Sequence, residues 1–248
     1  MAAVNAMQIV NEAIEAHGGM AYWNSLEALD VVMSAKGFLF TAKQRQILDR
    51  VRMRCATREP KFSFFEFPGP GQTSELIGNT EVRIIDSAGK VVSGRKNPRG
   101  AFHGIRHLFK WDDLDFIYFG GYANWNYLTA PFLLGRKGVV VEALPPLQGE
   151  MASLTRLQVT FPDDIPTHSR QQIFYFDDQR MLKRLDYTAE PVGGWAHAAH
   201  LCEDYRTFGK LKVPTKRWAL PLPFGNKPLP GPKLVDLEVH DVRPIPGT

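Results

Sequence analysis

Two textures of apolar spacing alternate along the chain and divide it into a helical start, two runs of short strands and a helical middle. Val4, Met7, Val10, Ile14 and His17 recur at helical spacing and Gly18-Gly19 follow, which predicts an amphipathic helix over 4–17 with a glycine stop. Tyr22, Trp23 and Leu26 predict a second, short helical turn. From residue 29 the texture changes to strands and turns. Strands are predicted over 31–40, 47–56, 61–67, 81–86 and 91–93, with Pro68 to Gln72 as a tight turn and Asp86-Ser87-Ala88-Gly89 as a hairpin. After residue 135 strands return over 138–143, 154–161, 171–176, 181–187, 198–208, 215–220 and 233–242, with a hairpin at Asp177 to Arg180 and a turn at Gly209-Lys210.

Between the two runs lies Trp111 to Leu134, with eight aromatic residues in 24 and three acids near its start. Asp112 and Asp113 suit a helix entry, because acids oppose the positive end of the helix dipole. Gly120-Gly121 should weaken or kink the helix and Pro131 should limit it, so two helical pieces rather than one rigid rod are predicted. The fold class that follows is α+β. A strongly curved antiparallel sheet, a half-open β-barrel of about ten or eleven strands, carries an N-terminal helix and a central helical insert over its concave face. A single domain over 1–248 is expected: N-terminal helices in 1–27, a first strand set in 28–96, the aromatic insert in 97–135 and a second strand set in 136–248. At 248 residues roughly three quarters of the unfolded surface can be buried, so the core needs no staples.

Charge changes this picture little. The net charge of +4 comes from 30 basic and 26 acidic residues spread through the chain, so no nucleic-acid partner is expected. Arg50, Arg52 and Arg54 alternate with Val51, Met53 and Cys55, the pattern of a solvated strand face rather than a phosphate-binding stripe. Cys55 and Cys202 have no second cysteine at metal-ligand spacing and read as reduced thiols. The N-terminal residues lack a basic region followed by a signal-length apolar run, and no stretch reaches the ~20 apolar residues of a membrane helix. A cytoplasmic protein without an integral membrane segment is the expectation.

The candidate chemistry is sparse. His103 and His107 would share a helix face, but Gly100 and Gly104 weaken a helix there and no acid stands between them, so no metal or cofactor is expected. His197 and His200 point to opposite faces of a strand. On the His200 face follow Cys202, Asp204 and Arg206, either a solvent-facing row or a polar array inside a cavity. Neither a nucleophile elbow nor a phosphate loop is present. The candidate catalytic groups are therefore His103, Arg106, His107, His200 and Asp204, with Tyr205 behind them. In the insert, Phe116, Phe119, Tyr122, Trp125 and Phe132 either pack as core or present a wall to an apolar ligand, with Tyr118, Tyr127 or Asn124 as polar anchor.

Three segments carry a resemblance. These are Ala16-His17-Gly18-Gly19 followed by Trp23, Phe174 to Asp178 with Leu182 to Tyr187, and Phe208-Gly209 before Val213-Pro214-Thr215-Lys216-Arg217. Together they resemble the LolA/LppX-like lipoprotein-carrier superfamily. The resemblance implies an incomplete barrel closed by helices over an apolar cavity for acyl chains or other lipidic ligands, and it brings no catalytic motif. Its members are typically exported, whereas this sequence shows neither signal nor lipobox cysteine and reads as a non-exported branch. Binding or carriage of a lipid or other hydrophobic small molecule is the expected function. The alternative is an isomerase, hydrolase or cyclase acting on an apolar substrate in the same cavity.

Overall fold

The computed structural model describes residues 5–223 and 225–247. Helix α1 (Ala6–Ala16) turns Ile9, Val10, Ala13 and Ile14 inward as one stripe, and the Asn5 side chain accepts from the Met7 amide to cap it. Val4, at the start of the predicted helix, lies outside the described residues. Gly18 and Gly19 end the helix with φ of 129° and 84°. Helix α2 (Met20–Asn24) leads into β1 (Leu26–Lys36), α3 (Phe38–Ala42), β2 (Leu48–Ala56), β3 (Lys61–Phe65), β4 (Gln72–Ile77), β5 (Glu81–Asp86) and β6 (Val91–Lys96). The insert holds α4 (Arg106–Phe109) and α5 (Asp113–Thr129). The second strand set is β7 (Val140–Leu144), β8 (Thr155–Thr160), β9 (Gln171–Phe176), β10 (Leu182–Thr188), β11 (His197–Phe208), β12 (Leu211–Pro221) and β13 (Val235–Pro246).

These strands form one antiparallel sheet in the order β6-β5-β4-β3-β2-β1-β13-β12-β11-β10-β9-β8-β7. The first strand pairs with the last, from Leu26 opposite Pro246 to Lys36 opposite Asp236. The free edges are therefore β6 and β7, which are consecutive in the chain. The segment joining them is the insert, and it carries α5 through the core of the curved sheet.

Two expectations are corrected. Among the described residues the sheet has thirteen strands rather than ten or eleven. Gln72–Ile77 escaped the pattern because one of its two buried positions is Ser74, whose hydroxyl is satisfied by the Phe67 carbonyl at 2.7 Å. The predicted strand 31–40 also stops early, since Gly37 at φ 131° turns the chain into α3. The second correction concerns α5, which is one uninterrupted helix through Gly120-Gly121. A Cβ at Gly121 would lie 3.0 Å from Leu76 Cβ, and one at Gly120 would lie 3.4 Å from Phe64 Cζ. The pair serves close packing of α5 on β3 and β4, not a hinge.

Reciprocal hydrogen bonds between Asp112 and Asp115 cap the start of α5, and the chain turns extended at Ala130 ahead of Pro131. Almost every α5 side chain is buried, as a helix threading a core requires.

Candidate functional site

Where α3 crosses the concave side, it leaves an apolar slot against α5. Leu39 and Phe40 come from α3, Phe116, Phe119 and Ala123 from α5, and Leu237 from β13. The cavity measures about 40 Å³, room for one or two waters and far below the ~300–1,000 Å³ of ordinary ligand pockets. Lys43 and Arg45 also line it. Lys43 is buried; its ammonium donates to the carbonyls of His107 and Leu108 at 2.7 and 2.8 Å, and burial lowers its pKa. Arg45 ion-pairs with Asp113. Asn124, on the same wall, keeps a buried side-chain oxygen without a partner.

Behind Tyr127, which lines the slot, runs a buried chain of polar rings. Arg217 Nε donates to His200 Nε2 at 3.0 Å, and Tyr187 Oη lies 3.4 Å from His200 Nδ1. Tyr127 Oη lies 3.0 Å from Tyr187 Oη and 2.7 Å from His168 Nε2, and Tyr122 Oη lies 3.0 Å from His168 Nδ1. Guanidinium nitrogens only donate. His200 Nε2 is thus the acceptor, its proton sits on Nδ1, and each hydroxyl in turn donates one step further, ending with His168 Nδ1–H given to Tyr122.

Burial holds all of these rings neutral. It drives His168 down to about 3 and His200 well below the ordinary histidine value, with the Arg217 charge adding to the effect at His200. It also pushes Tyr187 up to about 12 and Tyr122 and Tyr127 well above the ordinary phenol value. Neutral, sealed rings orient and fill; they are poorly poised to exchange protons near pH 7.

No protein-family model and no curated protein sequence matches the chain. Its structure is similar to that of a LolA superfamily protein from Nitrosomonas europaea, with a TM-score of 0.55 at 11% identity over 99% of this chain and 96% of that one. It is also similar to a domain from Vibrio parahaemolyticus whose name assigns it to outer membrane lipoprotein sorting, with a TM-score of 0.52 at 11% identity over 96% and 91% of the two chains. A DUF1329 family protein from Desulfovibrio piger aligns with a TM-score of 0.50 at 8% identity over 96% and 92%. The chain has a LolA-like fold.

Within this LolA-like half-barrel the residues singled out from sequence separate. Phe116 and Phe119 line the slot. Tyr122 faces His168, Trp125 donates to the Ala56 carbonyl at 2.9 Å, and Phe132 stacks on Trp23 with centroids 4.2 Å apart. Of the polar anchors, Tyr127 and Asn124 line the slot, while Tyr118 donates to Asn79 at 3.0 Å.

Among the described residues no hydrogen bond joins any two of His103, His107, His200 and Asp204. His103 is exposed with Nδ1 2.9 Å from the Gly100 carbonyl, and His107 is buried with Nε2 3.3 Å from Asp115. The side chain of Arg106 lies outside the described residues. The row on β11 splits: His200 and Cys202 are fully buried, but Asp204, at φ 52°, is exposed and accepts from the buried Thr215 and from the exposed Arg206. Cys55 and Cys202 are buried free thiols, and among the described residues no group of three His, Cys, Asp or Glu is placed to hold a metal.

Sequence reasoning missed His168, Tyr187 and Arg217. It also missed an outer-face pair, in which Ser34 Oγ lies 2.8 Å from His240 Nε2 between two strand irregularities. His240 Nδ1 is 3.9 Å from Glu238, beyond hydrogen-bond reach, and Ser34 also lies 3.3 Å from Asp49, so the pair lacks the orienting carboxylate of a hydrolytic triad.

Proposed function

We propose that the protein binds or carries a lipid or another hydrophobic small molecule beneath α5. The observation that carries this reading is the apolar slot between α3 and α5, with polar groups at its margins, inside a LolA-like fold. The name of the Vibrio parahaemolyticus neighbour, with its reference to lipoprotein sorting, points the same way. The slot as it stands is too small for an acyl chain, so occupancy requires α3 to lift. That helix has five residues and exposes Phe38 on its outer side. It is held by backbone bonds from Phe38 and Leu39 to Lys233 and Leu234 and by the Lys43 contacts.

A lipophilic fluorescent probe tests the reading. Uptake by the wild-type chain, displacement by fatty acids, and loss of uptake in Ala123→Phe, which fills the slot, are the expected results. A folded wild-type chain that takes up no probe and yields no co-purified lipid by native mass spectrometry would refute the proposal. An isomerase, hydrolase or cyclase would need catalytic groups converging on the slot, and none of the described candidates His103, His107, His200 and Asp204 lines it.

A further inference from the structure

Arg217 is 2% exposed, and among the described residues no carboxylate comes within ion-pair distance of it. The other deeply buried cations are provided for. Arg184 makes a two-pronged pair with Asp186 at 2.5 and 2.9 Å, and Lys43 gives its protons to two carbonyls. Arg217 spends Nε on the neutral His200 and Nη1 on the Tyr127 carbonyl at 3.1 Å, while Nη2 has no partner at all. An arginine stays charged in protein interiors, and a buried charge without an opposite one is costly. Its surroundings supply only neutral rings. His17, whose Nε2 is likewise buried without a partner, feels the Arg217 charge and is itself driven down to about 4, mainly by burial.

The guanidinium adjoins the slot. Tyr127 lines the slot, and its ring also lies under the guanidinium, 4.8 Å from centroid to carbon. Leu237, on the slot floor, is the β13 strand partner of Arg217. A ligand that reaches the inner end of the slot therefore meets, past one tyrosine ring, an unpaired positive charge with a free donor nitrogen.

We infer that Arg217 anchors the carboxylate of the ligand, and that the ligand class is a long-chain carboxylic acid held head inward, its chain in the slot between α3 and α5. This rests on the ligand-binding reading above. A single free nitrogen suits one carboxylate oxygen better than a dianionic phosphate, which calls for several donors. The head group restores the missing negative charge, and the apolar slot receives the chain. Entry past Tyr127 also loosens its bonds to His168 and Tyr187, so occupancy of the slot and order in the ring chain are coupled.

Laurate and its methyl ester, which share chain length and differ in charge, separate the possibilities in a probe-displacement titration of the intact chain below micelle-forming concentrations. Laurate is expected to bind at least tenfold more tightly than the ester. Arg217→Gln, checked for folding by circular dichroism, should bring laurate to the affinity of the ester and leave the ester within twofold of its wild-type value. Equal wild-type affinities, or an acid preference that survives Arg217→Gln, would overturn the inference while leaving the slot reading intact. If neither compound displaces the probe, both fall. Should Arg217→Gln fail to fold, the wild-type comparison decides alone.

Discussion

Arg217 donates its Nε–H to Nε2 of His200, and this one contact sets the direction of every hydrogen bond beyond it as far as Tyr122. Tyr127→Phe cuts the chain at its centre, leaving His168 Nε2 without a donor and Tyr187 without an acceptor. A loss of about 1–3 kcal/mol is expected in chemical denaturation. Tyr118→Phe, which removes bonds to Asn79 and Arg99 outside the chain of rings, should cost less. Equal costs for the two variants would show that the chain of rings is not cooperative.

Acid should destabilise the protein through its buried histidines. His17 titrates at about 4 and His168 at about 3 in the folded state, and His200 well below its ordinary value, against ~6.5 in the unfolded chain. Below pH ~6.5 the unfolded chain binds protons that the folded one refuses. Stability is therefore complete above that pH and falls as the pH drops toward the folded values, by on the order of 1 kcal/mol per histidine per pH unit. The melting temperature should drop steeply between pH 6.5 and 4.5, and His168→Gln should flatten that slope. A wild-type melting temperature unchanged across this range would contradict the assignment of neutral buried rings.

The two glycines of α5 should respond oppositely to alanine. At Gly120 the nearest atom to the new methyl is the end of the Phe64 ring, 3.4 Å away, so the gain in helix propensity, up to about 1 kcal/mol, should survive. At Gly121 the methyl meets Leu76 Cβ at 3.0 Å, where the strand backbone leaves little room to yield. Overpacking of about 1–3 kcal/mol is expected there, partly relieved by adding Leu76→Ala. Thermal melts of the three variants decide it, and a stabilised Gly121→Ala would show that α5 has slack against β4.

The entry of α5 offers a contrast between two neighbouring acids. Asp115 is fully buried, accepts from Arg95 at 2.5 Å and from the Asp112 amide at 3.0 Å, and lies 3.3 Å from His107. Asp113 pairs with Arg45 from a carboxylate that is 45% exposed. Removing Asp115 takes away one of the two carboxylates that Arg95 pairs with, Asp112 being the other, and the acceptor for the Asp112 amide, so Asp115→Ala should cost about 1.5–3 kcal/mol. Asp113→Ala should cost about 1 kcal/mol or less. Urea denaturation midpoints of the two variants check the order, and a reversal would mean that the buried cluster contributes little.

Much of the fold was legible because period-two alternation survives on most strands, and because hairpins such as Asp86 to Gly89 and Asp177 to Arg180 carry their turn residues openly. Gln72–Ile77 was not legible, since the buried Ser74 breaks the apolar alternation. The continuity of α5 was hidden for a different reason. Gly120-Gly121 reads locally as a breaker, and only the distance to Leu76 reveals why glycine is needed there. In the ring chain, His200 stood out, but Arg217 did not. A signal existed: Val213, Thr215, Arg217 and Ala219 occupy alternate buried positions of β12, so an arginine stands on the inward phase of a strand. His168 gave no such signal, because it sits in the irregular link between β8 and β9, where side-chain direction follows from tertiary packing alone.

The pairing of β1 with β13 leaves α5 in the position of a tie rod across an open ring. Its 17 residues span about 25 Å at the ~1.5 Å rise of an α-helix, and the only covalent path from the β6 edge to the β7 edge runs through it. Spreading of the two edges would draw on the connections either side of α5, residues 97–112 and 130–139, while α5 itself stays packed on β2 to β5. The other place able to yield is the side where the sheet is joined by hydrogen bonds alone, the β1–β13 seam with the short α3 beside it, so loading should be read there as faster amide exchange rather than in any change at the helix.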